Sequence, residues 1–336
     1  MIKINGEKGG GQMLRTALSL SAVTGESFTM ENIRGNRSNP GLKRQHLECV
    51  KAAKRLCNAE TEGGELGSES LVFRPGEIRN ESFTSNIGTA GSITLLFDTV
   101  LPITTEFSDS FRFAAKGGTD VKWSPTFNYF KHVKLPLLRK YGLDAGVELE
   151  ETGYYPKGDG EATLETEDYS LEPIELVERG ELQKFEIYSK ASRSLESQQV
   201  ADRQADEAAR MLKDDHASTP VEKNVEYEKT ASTGSSLLVK AVYGDSVAGF
   251  DALGEQGKRS EDVALEVVED FRSFRSSGAV VDEYMADQLL VFLALAGGEV
   301  SIPEVTDHVK TNMEVIREFG FDLEVVEKED VKIVRS

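Results

Sequence analysis

The sequence predicts an α/β (α+β) protein made of three copies of one helix-and-strand unit, with a separate α/β segment inserted before the last copy. Three observations predict it: a small-residue start runs into an apolar helix three times, a second helix follows each time, and the copies are unevenly spaced. The starts are Gly9-Gly10-Gly11-Gln12 before a helix at 13–23, Gly88-Thr89-Ala90-Gly91-Ser92 before 93–101, and Ala286-Asp287-Gln288 before 289–296. Gly25, Pro102 and Gly297-Gly298 supply the stops. Strand-like stretches follow at 27–33, 106–114 and 299–302.

Second helices are predicted over 42–57, 125–141 and 309–319. The last two end alike, as Arg139-Lys140-Tyr141-Gly142-Leu143 and Arg317-Glu318-Phe319-Gly320-Phe321. These units read as two helices packed on one face of a small sheet. The first helices of copies one and two start near 10 and 89, but that of copy three starts near 286, an excess of roughly 115 residues. The excess holds its own helices at 199–212 and 260–275 and strands at 221–228 and 235–242. It is therefore assigned to an inserted domain at 181–275, between 1–180 and 276–336, with units at about 1–80, 81–180 and 276–336. Ala201, Ala205, Ala208, Ala209 and Leu212 recur at helical spacing there, which marks a core stripe.

Composition narrows the function. The chain is globular in content, 39% hydrophobic over 336 residues, with a formal net charge of −19. Residues 1–55 nevertheless carry ten Lys/Arg against four Glu and no Asp. A basic opening on an acidic chain argues for one focused anion site and against a broad nucleic-acid track. The acidic balance also fits a halophile-like surface. Cys49 and Cys57 show no metal-ligand spacing and read as core thiols in a reducing compartment. The opening Met1-Ile2-Lys3-Ile4 reads as a strand and not a signal peptide, and the longest apolar run, 289–296, is too short to span a bilayer. The expectation is a cytoplasmic protein with no membrane partner.

The candidate chemistry centres on Asp307-His308-Val309-Lys310-Thr311-Asn312. His308 opens a helix, and Asn312 lies one turn along the same face. A neutral imidazole is a nucleophile and a tunable acid or base near neutral pH. Gly9-Gly10-Gly11 fits either a close backbone approach to phosphate or a tight turn, and matches neither the Walker loop nor the dinucleotide fingerprint. Arg34, Arg37, Lys43 and Arg44 surround the turn Ser38-Asn39-Pro40-Gly41, with Arg15 one turn into the first helix. Together they resemble a phosphate clamp.

With these residues assembled, the chain resembles the RNA 3′-terminal phosphate cyclases over nearly its whole length. The stretches that carry the resemblance are Gly9-Gly10-Gly11-Gln12-Met13-Leu14-Arg15, Ile33-Arg34 with Arg37, Pro40-Gly41-Leu42 and Gln45-His46-Leu47. Gly117-Gly118-Thr119-Asp120, Tyr154-Tyr155-Pro156, Glu283-Tyr284-Met285-Ala286-Asp287-Gln288-Leu289 and His308 with Thr311-Asn312 complete them. The resemblance implies three four-stranded, two-helix units and a smaller thioredoxin-like insert. It implies a ligase-like nucleotidyl transferase that uses ATP and a divalent metal, Mg²⁺ or Mn²⁺, on RNA with a 3′-terminal phosphate. His308 would take AMP from ATP, releasing pyrophosphate, and pass it to the RNA end as RNA(3′)pp(5′)A. The ribose 2′-OH would then close a 2′,3′-cyclic phosphate and expel AMP.

By the same resemblance Tyr284, Met285, Ala286, Asp287 and Gln288 lie in the stretch that holds the nucleotide, with Asp98 beside it and Pro125 against the adenine. Arg15, Arg34, Arg37 and Gln45 would handle phosphates or the RNA end, and Asn312 would orient the site. Tyr284 and Pro125 equally fit a core, and Asp287 a helix cap. The chain departs from the family pattern at Lys8 (usually Glu, a metal ligand), Asp98 (usually Gln) and Asp159 (usually Gly). Glu7 is the carboxylate left to serve the metal. The alternative function is a non-catalytic RNA-binding ribosome-assembly factor of the same fold, a branch that lacks the histidine present here. Enolpyruvyl transfer uses six copies of a similar unit and no such histidine. A homodimer is compatible with all these features.

Overall fold

The computed structural model describes residues 1–328 and 331–336. Four four-stranded sheets organise it, and three share one topology. In the first unit, Ile2–Asn5 pairs parallel with Phe28–Glu31, which pairs antiparallel with Leu71–Arg74, and that strand with Glu60–Glu62. The helices are Gly11–Thr24 and Arg44–Leu56. The second unit repeats this order with Phe83–Asn86, Phe111–Gly117, Gly160–Thr166 and Ala145–Glu151. The third uses Ile174–Leu176, Gly298–Ile302, Val331–Arg335 and Glu324–Lys328.

Unit three is therefore split. Its first strand lies at 174–176, inside the stretch 81–180 assigned from sequence to unit two, and the chain leaves for the insert before returning at the helix Glu283–Gln288. Three residues of edge strand are too short for a periodic signal, so only the pairing reveals them. The insert centres on Leu182–Ser192, parallel to Val221–Glu228 and antiparallel to Ser235–Tyr243, which pairs with Val247–Leu253. Its helices are Val200–Asp215 and Ser260–Ser277.

Other elements shift for local reasons. Gly25 ends the first helix as expected, at φ 74° with its N–H on Ser21 O at 3.0 Å. Pro102 does not stop its helix outright. It sits at the start of a 3-10 turn, Leu101–Glu106, so the following strand begins at Phe111 and not near 106. The helix expected over 125–141 is broken by a π turn, Phe130–Lys134.

One large core runs through the three units, and a second fills the insert around Phe185, Val239, Phe271 and the Ala205–Leu212 stripe. The helix Gly11–Thr24 is central: it packs on Arg44–Leu56, Ile93–Val100 and Asp307–Glu318, burying nearly every residue from Gln12 to Ala22. Cys49 and Cys57 are both buried and unpaired, and burial pushes their thiols up to about 11 and about 12. Among the described residues no helix is long and apolar enough to cross a membrane.

Candidate active site

His308 sits where a helix begins. Thr306 caps Asp307–Glu318, its Oγ1 accepting the Val309 N–H at 3.2 Å, and the His308 side chain opens onto a cleft of about 620 Å³. The ring is fixed from one side: Nδ1 lies 3.2 Å from Asp287 Oδ2. With Nδ1–H donating to that carboxylate, Nε2 keeps its lone pair and faces no protein partner among the described residues. The hydrogen bond to Asp287 raises the imidazole above its ordinary value against the opposing effects of burial, Arg15 and Arg37.

The support beneath the pair comes from three directions. Asp287 is not a helix cap; that position belongs to Asp282, whose Oδ1 accepts the Met285 N–H at 2.9 Å. Asp282 also accepts the Tyr129 hydroxyl at 2.6 Å and the Gly249 N–H at 3.0 Å, tying unit three to unit two and to the insert. Buried Asn312 accepts the Thr16 hydroxyl at 3.1 Å and reaches the Asp287 carbonyl at 3.5 Å. Gln12 donates to Thr311 at 3.3 Å. These bonds cross from the first helix to the last and hold His308 and Asp287 in register.

Around the ring the cations divide into free and committed. Among the described residues, the Arg15 and Arg37 side chains make no ion pair or hydrogen bond, yet both lie near enough to act on His308. Arg34 is committed: its Nη1 donates to the carbonyls of Asn39 (2.8 Å) and Gly41 (3.1 Å), pinning the turn beside it. Gln45 is likewise a tie, its Oε1 accepting the Ser92 N–H at 2.9 Å. In a chain with 58 acidic residues, two guanidiniums unpaired among the described residues suit an anion beside His308.

The glycines before the first helix permit this grouping. A Cβ on Gly11 would fall 2.5 Å from His46 Nε2 and 3.0 Å from Arg15 Nη1, and one on Gly10 would lie 3.7 Å from Arg37 Nη2. His46 Nδ1 accepts the Lys43 N–H at 3.2 Å, so the neutral ring carries its proton on Nε2, toward Gly11. Burial, then Arg15, Arg34 and Lys43, lower its pKa to about 3. His46 stands in one of the matching stretches, but its neighbours along the chain give no sign of this place beside Gly11.

The cleft lies where the insert meets units two and three, with Arg15 reaching it from unit one. Its walls include Arg15, Asp98, Pro125, Tyr284, Asp287, Gln288 and His308, residues remote in sequence that the fold brings together. Tyr284 is half exposed there, its ring edge-on to Tyr129 at 6.2 Å. Pro125 is held by the Thr94 hydroxyl on its carbonyl at 2.9 Å. Met285 and Ala286 are not on the wall: both are fully buried in the core, because on a helix only Tyr284, Asp287 and Gln288 of that stretch face the opening. Asp98 is not free either. Lys134, buried in the π turn, binds it at 2.5 Å and reaches Gln288 Oε1 at 3.1 Å. A regular helix gives no cause to single out Lys134; π turns often gather at such sites.

Asp251 enters the wall from the insert, accepting the Thr126 N–H at 2.8 Å, and burial raises its pKa to about 6. Among the described residues no three His, Cys, Asp or Glu side chains group as a metal site, so Glu7 has no pair of ligating neighbours. Its backbone instead braces the Arg37 loop, the Glu7 carbonyl accepting the Asn36 N–H at 3.2 Å. A divalent ion held mainly by nucleotide phosphates and its own waters needs no such group.

A model of the family described as RNA 3′-terminal phosphate cyclase matches residues 6–325. The chain is 40% identical over 344 aligned positions to a protein named RNA 3′-terminal phosphate cyclase from Halobacterium salinarum (strain ATCC 29341 / DSM 671 / R1), covering 99% of both. It is 42% identical over 322 positions to one of the same name from Saccharolobus solfataricus (strain P2), covering 95% of this chain and 94% of the other, and equally so to one from Saccharolobus islandicus (strain L.S.2.15). Matched from end to end, with these residues converging on one cleft, the chain belongs to the RNA 3′-terminal phosphate cyclase family.

Proposed function

We propose that this protein converts an RNA 3′-terminal phosphate into a 2′,3′-cyclic phosphodiester at the expense of ATP, with His308 as the nucleophile. The observation that carries this reading is the His308–Asp287 pair: Nδ1 is tied to a carboxylate, Nε2 is open to the cleft, and Arg15 and Arg37 stand beside it unpaired.

In the first step His308 Nε2 forms a bond to the α-phosphorus of ATP, and the bond from that phosphorus to the pyrophosphate oxygen breaks. The imidazole becomes cationic as it bonds, and the Asp287 carboxylate 3.2 Å from Nδ1 stabilises that charge. Arg15 and Arg37 would receive the phosphoryl oxygens, where negative charge builds up. In the second step an oxygen of the RNA 3′-phosphate attacks the same phosphorus, and His308 leaves as neutral imidazole. In the third the terminal ribose 2′-OH gives up its proton to water and attacks the 3′-phosphorus, expelling AMP and closing the ring. Only an end with a 2′-OH can complete this step. Pro125 and Tyr284 would hold the adenine, with Gln288 and the Asp98–Lys134 pair behind it.

The test is intact-protein mass after incubation with ATP and Mg²⁺ or Mn²⁺. An acid-labile AMP adduct on wild type and none on His308→Ala is expected, followed by turnover of RNA 3′-phosphate. An adduct on both proteins moves the nucleophile elsewhere. No adduct on either, with RNA still bound, favours the non-catalytic RNA-binding role.

A further inference from the structure

The most exposed aromatic side chains in the described structure are Trp123, at 95%, and Tyr155, at 75%. Trp123 lines the cleft and sits at φ 62°, a conformation that bulky residues rarely adopt. Burial of its ring does not explain the strain, because the ring is almost wholly in solvent. Strain of this kind, kept at a site, points to use by a ligand.

The loop that carries Trp123 is fastened to the loop that carries Tyr155. The Thr119 and Asp120 N–H groups both donate to the Gly153 carbonyl, at 2.9 and 3.3 Å, and Asp120 pairs with Tyr154 in a β-bridge. Both loops are then bound to the insert. Lys190 reaches Asp120 at 3.2 Å, and the Lys157 N–H donates to Ser232 at 3.1 Å. Gly234 lies so close to the Tyr154 ring that a Cβ would be 2.4 Å from it. Trp123 thus stands bare on the cleft wall, and Tyr155 stands bare on the loop braced to it.

Charge says what kind of contact they make. The cleft wall carries seven carboxylates against three cations, Arg15, Lys122 and Lys258. Lys122 and Lys258 are themselves paired, with Glu255 and Glu266. Such a wall does not hold a nucleic-acid strand by its phosphates. Base stacking is insensitive to that charge and needs only an open π-face. We infer that Trp123 and Tyr155 form a stacking platform for the unpaired bases next to the RNA 3′ end, with Trp123 taking the base nearest His308. This rests on the reading that the cleft receives that end.

Trp123 is the chain's single tryptophan, so its fluorescence reports on it alone. Full-length protein is titrated with a single-stranded RNA ending in a 3′-phosphate and with the same strand abasic at its last two positions. Saturable quenching by the first and far weaker quenching by the second is expected. Trp123→Ala and Tyr155→Ala should each raise the KM for RNA roughly tenfold, out of proportion to any change in adduct formation from ATP, while Trp123→Phe keeps most of the affinity. RNA affinity should fall only shallowly with rising KCl. Equal quenching by intact and abasic strands, or an unchanged KM, would each overturn the inference. Quenching by RNA without any adduct on wild type would leave the platform standing and remove the cyclase chemistry.

Discussion

Two helix starts line the cleft, one at Thr126 and one at Thr306, and they share a frame. Thr126 Oγ1 accepts the Tyr129 N–H at 3.2 Å, and Thr306 Oγ1 accepts the Val309 N–H at 3.2 Å. Each begins the second helix of its unit, and both threonines line the cleft. Beyond the caps the two diverge. Phe127 and Tyr129 are buried, and the insert strand Val247–Leu253 packs on that helix so closely that a Cβ on Gly249 would lie 2.5 Å from Val133. At the other start His308 stands 57% exposed. One local design thus serves as a fixed wall in unit two and opens onto the cleft in unit three.

The largest effect that breaks this comparison lies on the wall side. Lys134→Met leaves Asp98 without its buried partner, and a loss of about 3–5 kcal/mol is expected by denaturant unfolding. Adding Asp98→Leu should restore much of it, since two apolar side chains need no partner. No recovery in the double variant would mean that Lys134 acts through Gln288 instead.

On the reactive side, Asp287→Asn removes the charge that supports the imidazolium, and adduct formation from ATP should fall by about 10²-fold. The pH profile gives the sign. Asp287 raises the His308 pKa, so wild-type adduct formation should climb with pH through a value above 6.5, as the ring loses its proton. In Asp287→Asn that rise should move to lower pH. A profile that stays in place would show that His308 is not the titrating group.

The smallest effects separate the two starts most sharply. Thr126→Ala and Thr306→Ala should each cost about 1 kcal/mol of stability through the lost cap. Only Thr306→Ala should also slow adduct formation several-fold, because it loosens the turn that carries His308. Equal slowing in both would mean that the wall, too, positions reacting atoms.

A further test concerns His46. Its pKa is lowered to about 3 in the folded protein against an ordinary 6.5, so between those values the unfolded chain binds the extra proton. Stability should therefore decline as pH falls from 6.5 toward 3, and His46→Gln should flatten that decline in thermal melts.

Much of this architecture was legible along the chain. Helical periodicity, the glycine stop at Gly25 and the repeated small-residue starts are local signals, written in residues a few positions apart, and they carried the repeats and the place of His308. The pairing of Ile174–Leu176 with Gly298–Ile302 was not legible, because three residues hold no period and their partner lies beyond the insert. Nor was the division between free Arg15 and Arg37 and committed Arg34 and Gln45. All four are polar side chains of similar reach in sequence, and only the carbonyls and N–H groups that meet them in space separate them.

By itself, then, the sequence determined the repeating elements, their order and the residues with chemical reach, since propensity, capping and periodicity act between near neighbours. The tertiary structure decided which of those residues stay available: Met285 and Ala286 go into the core, Asp98 to Lys134, the helix cap to Asp282, and His308 Nε2 to the open cleft. A side chain's freedom to react depends on every group that packs around it, and most of those groups arrive from elsewhere in the chain.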